Sequence, residues 1–171
     1  SCISVVTIAK AVDTEKYDMY LIWITKDGQW KKVDSIEAIT DGSWKDGKVS
    51  AVISPDIKGE MLIVDENKNA SYVKLDVIFP VLHGMFGEDG TIQGLFEMSG
   101  IPYVGCGVLA SAASMDKFYT KIIVDTLGIR QATYVPVLKS QLEDMDDCVK
   151  RVEEKLSYPV FVKPSKAGSS K

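Results

Sequence analysis

From Asp76 to Leu82 the chain reads Asp-Val-Ile-Phe-Pro-Val-Leu, with no polar side chain after the first position. Such a run predicts a strand covered on both faces, which needs a sheet with further layers packed over it. It stops at His83-Gly84, and the stretch from Asp89 to Gly100 then sets Ile92, Leu95 and Phe96 on one helical stripe, with Gly100 as a left-handed terminator. Ile101 to Val104 reads as a second short strand. Strand, helix and strand in that order predict an α/β domain with a largely parallel sheet.

The flanking segments give local expectations. Residues 4–11 read as helical turns, Tyr17 to Thr25 as a strand, Asp27-Gly28 as a hairpin turn and Gln29 to Val33 as the returning strand. Short apolar runs at 51–53 and 61–64 read as small edge strands. The flexible joint Gly105-Cys106-Gly107 marks a change of character. Beyond it come a small-residue helix from Val108 to Met115, a helix capped by Asp116, a strand over 132–138 and a strand over 159–164. Between these strands, Ser140 and Glu143 have the form of a capping box. Leu142, Met145, Val149, Val152 and Leu156 follow at helical spacing. Residues 1–105 are therefore read as one α/β domain and residues 106–171 as the opening of a second.

Composition narrows the function classes. With 46% hydrophobic residues among 171, the chain has enough apolar matter for a core. No apolar run approaches the ~20 residues of a membrane span, so no membrane association is expected. A net charge of −4 argues against a nucleic-acid partner. Cys2, Cys106 and Cys148 are too scattered for a disulfide framework or a zinc site, and suit free thiols in a reducing cytoplasm. No metal-ligand spacing and no Gly-x-Ser-x-Gly elbow is present, so no metal ligands are assigned.

Two loops could carry chemistry. His83 to Gly90 lies between the buried run and a helix start, and its three glycines would let backbone amides approach a ligand. Equally, Gly-Glu-Asp-Gly can be a turn with a helix cap, and His83, the single histidine, a structural residue. Ser165 to Ser170 could cradle a phosphate or be a flexible loop; it matches neither the Walker nor the dinucleotide glycine pattern. Lys163 ends an apolar run, where a charge is costly without a partner. Lys117 sits at a helix start, where the dipole disfavours a cation. Two misplaced lysines beside a Gly-Ser loop suit a polyphosphate, and singly each can be a surface lysine.

Taken together, Leu82-His-Gly84, Gly87-Glu-Asp-Gly-Thr-Ile-Gln-Gly94, Ile101-Pro-Tyr-Val-Gly-Cys-Gly107, Ala110-Ser-Ala-Ala-Ser-Met-Asp-Lys117 and Phe161-Val-Lys-Pro-Ser-Lys-Ala-Gly-Ser-Ser170 resemble the D-alanine–D-alanine ligases of the ATP-grasp superfamily. Ile22 to Trp30 and Lys74 to Asp76 are most similar to the vancomycin-resistance D-alanine–D-serine branch. The resemblance implies a doubly wound amino-terminal domain over 1–105, lacking its first strand and Gly-rich loop, then a partial ATP-grasp α+β domain over 106–171. It implies an enzyme that uses ATP and Mg²⁺ to make a D-alanyl phosphate, which a second D-amino acid attacks to give a peptidoglycan-precursor dipeptide.

By the same resemblance His83 and Glu88 serve the first D-alanine, Lys117 and Lys163 touch ATP phosphates, and Ser169, with Gly168 and Ser170, forms the small-residue loop of the active site. A homodimer is expected of the full-length protein. The resemblance places the amine-binding glutamate before Ser1, and the lid, oxyanion arginine and metal ligands after Lys171. The 171-residue chain alone is therefore expected neither to bind Mg·ATP tightly nor to turn over. A non-catalytic nucleotide-sensing or interaction module on the same scaffold is the alternative.

Overall fold

In the computed structural model, described here for residues 2–167, the local signals place most of the helices. Helix α1 spans Cys2–Ala11. Strands β1 (Leu21–Ile24) and β2 (Trp30–Val33) form the expected hairpin. Gly28 adopts φ 81°, and the Thr25 amide donates to the Gln29 carbonyl at 2.8 Å. Helix α2 (Ile36–Asp41) is short; the Ser35 hydroxyl accepts from the Ala38 amide and Gly42 closes it in the left-handed region. A 3-10 turn (Ser43–Asp46) leads to β3 (Ser50–Ile53), β4 (Glu60–Val64) and β5 (Ala70–Lys74).

These strands form one five-stranded sheet in the order β1-β2-β3-β4-β5, every neighbour antiparallel. This corrects the expectation of a doubly wound, largely parallel sheet for the amino-terminal domain. Parallel neighbours need a crossover of a dozen residues or more. The links from β3 to β4 and from β4 to β5 are too short for that. β5 is hidden in the sequence because Ala70 to Lys74 has little hydrophobic pattern; its pairing with β4, Leu62 opposite Tyr72, supplies the order.

The strand–helix–strand unit itself survives in reduced form. Helix α3 (Thr91–Ser99) ends at Gly100 with φ 67°, as its stripe and terminator imply. The segments on either side meet in parallel through a single bridge, Ile78 with Tyr103. Its bonds run from the Ile78 amide to the Pro102 carbonyl (2.8 Å) and from the Val104 amide to the Ile78 carbonyl (2.9 Å). Pro80 and Pro102 have no amide hydrogen to extend a ladder. The run expected to be covered on both faces packs on one side only: Ile78 and Leu82 join the core, while Val77 and Phe79 are exposed. Ile53, Ile92, Phe96 and Ile101 are buried together, with Trp30, Leu75, Ile78, Leu82, Leu95 and Tyr103 packed around them. This cluster locks α3 to the sheet and sets the position of the loop between Leu82 and Thr91.

Helices α4 (Val108–Met115) and α5 (Lys117–Thr126) follow as expected, with Asp116 capping α5. Helix α6 (Met145–Glu153) starts later than Ser140 suggests. Residues 139–143 form a 3-10 turn, and Asp144, whose carboxylate accepts from the Asp147 amide at 3.0 Å, is the cap. Asp146 and Asp147 in the first turn favour that later start through the helix dipole. The strands expected over 132–138 and 159–164 do not form among the described residues: no partner strand lies beside them, and Phe161 and Val162 are exposed.

Candidate functional site

The loop before α3 is built by its own carboxylates. The Gly84 amide donates to Glu88 Oε2 at 2.5 Å, and the Glu88 amide returns a bond to the Gly84 carbonyl at 2.9 Å. Asp89 receives the Phe86 amide at 2.9 Å and the Thr91 amide at 3.0 Å. Burial pushes the Asp89 carboxyl up, but the Phe86 amide and the Thr91 hydroxyl and amide outweigh it and hold the group below the usual carboxylate range. From α3 the buried Gln93 donates to the Gly87 carbonyl at 3.0 Å, a tie that spacing alone did not reveal. Its Oε1 is buried without a partner.

Gly87 is required here by close approach. A Cβ at this position would lie 2.6 Å from Leu82 Cβ and 3.2 Å from the His83 amide nitrogen. Gly87→Ala is expected to cost about 1–3 kcal/mol, the range for overpacking, measured as a lowered denaturation midpoint. A variant as stable as the parent would mean that the Leu82–His83 backbone is free to yield. His83 is exposed, and no hydrogen bond or ion pair reaches it among the described residues. Glu88 is also exposed, and its observed role is to close the turn.

The second cluster gathers at the start of α5. Asp116 is 7% exposed; its Oδ1 accepts from the amides of Phe118 (3.0 Å) and Tyr119 (3.4 Å) and from the Ser165 hydroxyl. Lys166 Nζ stands 4.0 Å from Asp116 Oδ2. Burial alone would raise the Asp116 carboxyl; the Ser165 hydroxyl, the two amides and the Lys166 ammonium bring it below its ordinary value. Lys117 joins the same loop twice, through its amide to the Ser165 carbonyl (3.0 Å) and through Nζ to the Ala167 carbonyl (2.6 Å). The neighbouring carboxylate and this carbonyl offset the unfavourable dipole that made Lys117 look misplaced.

The structure therefore brings Lys117 to the 165–167 segment. Lys163 is exposed and makes no hydrogen bond or ion pair among the described residues. Gly168, Ser169 and Ser170 lie outside the described residues. Sequence reasoning saw Asp116 as a helix cap but not as the partner of Ser165, because no pattern links residues 49 positions apart.

The two clusters share a cleft of ≈ 240 Å³ lined by Asp89, Thr91, Ala112, Met115, Asp116 and Lys166. α4 forms the wall between them. It approaches so closely that a Cβ on Gly90 would fall 2.9 Å from the Val108 carbonyl. A larger hollow of ≈ 340 Å³ borders Lys10, Ile36, Glu37, Thr40 and Asp41, away from both loops. Among the described residues no group of three or more His, Cys, Asp or Glu side chains is placed to hold a metal, so they do not fit a Mg²⁺ site. None of their helices is long and apolar enough to cross a membrane.

Residues 1–106 match the family model described as D-ala D-ala ligase N-terminus, and residues 123–171 match D-ala D-ala ligase C-terminus. The D-alanine–D-alanine ligase of Acetivibrio thermocellus is 48% identical, covering 99% of this chain and 49% of the relative. That of Caldicellulosiruptor bescii is 43% identical over 99% and 47%. Among solved structures, VanG D-Ala:D-Ser ligase from Enterococcus faecalis superposes with TM-score 0.86 at 36% identity, covering 99% of this chain and 48% of that one. The D-alanine–D-alanine ligase from Coxiella burnetii gives TM-score 0.75 at 28% identity. The chain spans about half the length of the curated relatives it matches. With family models covering residues 1–106 and 123–171, the chain belongs to the D-alanine–D-alanine ligase family.

Proposed function

We propose that this chain supplies the amino-terminal domain (1–105) and part of the ATP-grasp domain (106–171) of an ATP-dependent ligase joining D-alanine to a second D-amino acid, D-alanine or D-serine. The product would serve as a peptidoglycan precursor made in the cytoplasm, and the full-length enzyme would act as a homodimer. In the proposed reaction a carboxylate oxygen of the first D-alanine attacks the γ-phosphorus of ATP and ADP leaves. The amine of the second amino acid then attacks the acyl carbon, phosphate leaves and the nitrogen loses a proton. The observation that carries the reading is the shared cleft, lined by Asp89 and Thr91 at the start of α3, by Asp116 at the start of α5 and by Lys166.

In this scheme His83 and Glu88 serve the first D-alanine. Lys117 and Lys163 neutralise the phosphates, and Ser169, with Gly168 and Ser170, belongs to the small-residue loop that holds the active-site contact network together. Exclusion of water protects the acyl phosphate. Mg²⁺, when bound, would supply positive charge to the phosphates; no described residue of this chain is assigned to hold it.

The test is His83→Ala in the full-length protein that carries this chain. Dipeptide formation is expected to fall about tenfold or more while ATP affinity moves by less than about twofold. Loss of ATP affinity with no effect of D-alanine on ADP release would instead indicate a nucleotide-sensing module.

A further inference from the structure

The bonds around Asp116 have a geometry that a helix cap does not need. A cap requires only an acceptor for the first amides of α5, and the Phe118 and Tyr119 amides fill that role. Yet the same buried carboxylate also takes the Ser165 hydroxyl and faces Lys166 on its second oxygen. Ser165 in turn accepts the Lys117 amide on its carbonyl, while the Lys117 ammonium reaches Ala167 two residues further on. Three consecutive residues of one segment, 165 to 167, are thus tied to two consecutive residues of another, 116 and 117. Two of these residues, Asp116 and Lys166, line the cleft.

We propose that Asp116 is a positioning residue for phosphoryl transfer, holding the Lys117 end of α5 and the Ser165–Ala167 segment in one register. The proposal rests on the ligase reading above. Asp116 touches no reacting atom; it acts through Lys117 and the loop. The buried anion also offsets the Lys166 ammonium that stands 4.0 Å from its second oxygen. Asn retains an acceptor oxygen for the helix amides and for the Ser165 hydroxyl, whereas Ala removes both.

The experiment uses Asp116→Ala, Asp116→Asn, Ser165→Ala and the Asp116→Ala/Ser165→Ala double variant of the full-length protein, assayed for ADP release with ATP and D-alanine. Asp116→Ala is expected to raise KM for ATP about tenfold and leave KM for the first D-alanine within about twofold, with Asn recovering most of the loss. Ser165→Ala, at an exposed position, should reproduce the ATP effect without lowering the thermal unfolding midpoint by more than a few degrees. The double variant should be no worse than Asp116→Ala alone, because both remove the same bond. Additive losses, equal shifts in both KM values or an unchanged KM for ATP would overturn the positioning role alone. A parent protein that releases no ADP in response to D-alanine would overturn the ligase reading and this role together.

Discussion

Replacing Phe96 with alanine is expected to lower the unfolding free energy by about 3–5 kcal/mol, the usual cost of emptying a large aromatic site in a core. Phe96 is 2% exposed and sits where α3, the sheet and the segment after α3 meet, between Ile53, Ile92 and Ile101. Its ring lies 5.3 Å from that of Tyr103, which belongs to the single parallel bridge. The core is small, so little surrounding structure can collapse into the void. Met98 on the same helix is 63% exposed and provides the control, since Met98→Ala should change stability by less than about 0.5 kcal/mol. Urea titration of the two variants checks this. Equal midpoints would mean that α3 is not anchored by this cluster, and with it would go the account of what positions the His83 loop.

Lys117→Ala has the largest expected effect on chemistry. On the proposed reaction, removing this ammonium should slow D-alanine-dependent ADP formation by about 10²–10³-fold, the range for losing one preorganised group aimed at developing charge. The fold should be indifferent, because Asp116 still caps α5 and alanine is a good helix former at its first position. The Ala167 carbonyl that Lys117 now holds is in a segment already tied through Ser165. Single-turnover ADP release, followed alongside thermal unfolding, separates the two effects. A rate within about threefold of the parent would remove Lys117 from the phosphate-binding role.

The cap at Asp116, the Asp27-Gly28 hairpin and the Gly100 terminator were all readable in advance, because each depends on residues within one turn of one another. Ser140 shows the limit of that kind of reading. Two good caps lie four residues apart, and Asp144 is chosen by the first-turn charges and by Gln141, whose side chain accepts the Leu138 amide and keeps the earlier residues in a 3-10 turn. The run from Val77 to Leu82 was read as a strand covered on both faces, yet only Ile78 and Leu82 pack against the core while Val77 and Phe79 are exposed. Hydrophobicity marks what could be buried, whereas a second covered face needs a layer over it and a ladder needs amide donors that Pro80 and Pro102 lack.

The site divides along the same line. That the chain carries a His-Gly loop, a Gly-Glu-Asp-Gly turn and lysines at 117 and 163 followed from order along the backbone. That Asp89 and Thr91 face Asp116 and Lys166 across one cleft, and that Ser165 closes on a buried carboxylate far away in the chain, emerged only from the folded arrangement. Caps and turns draw their energy from near neighbours, so they can be read residue by residue. Contacts between distant segments form only once a core such as that around Phe96 has offset the entropy of bringing them together.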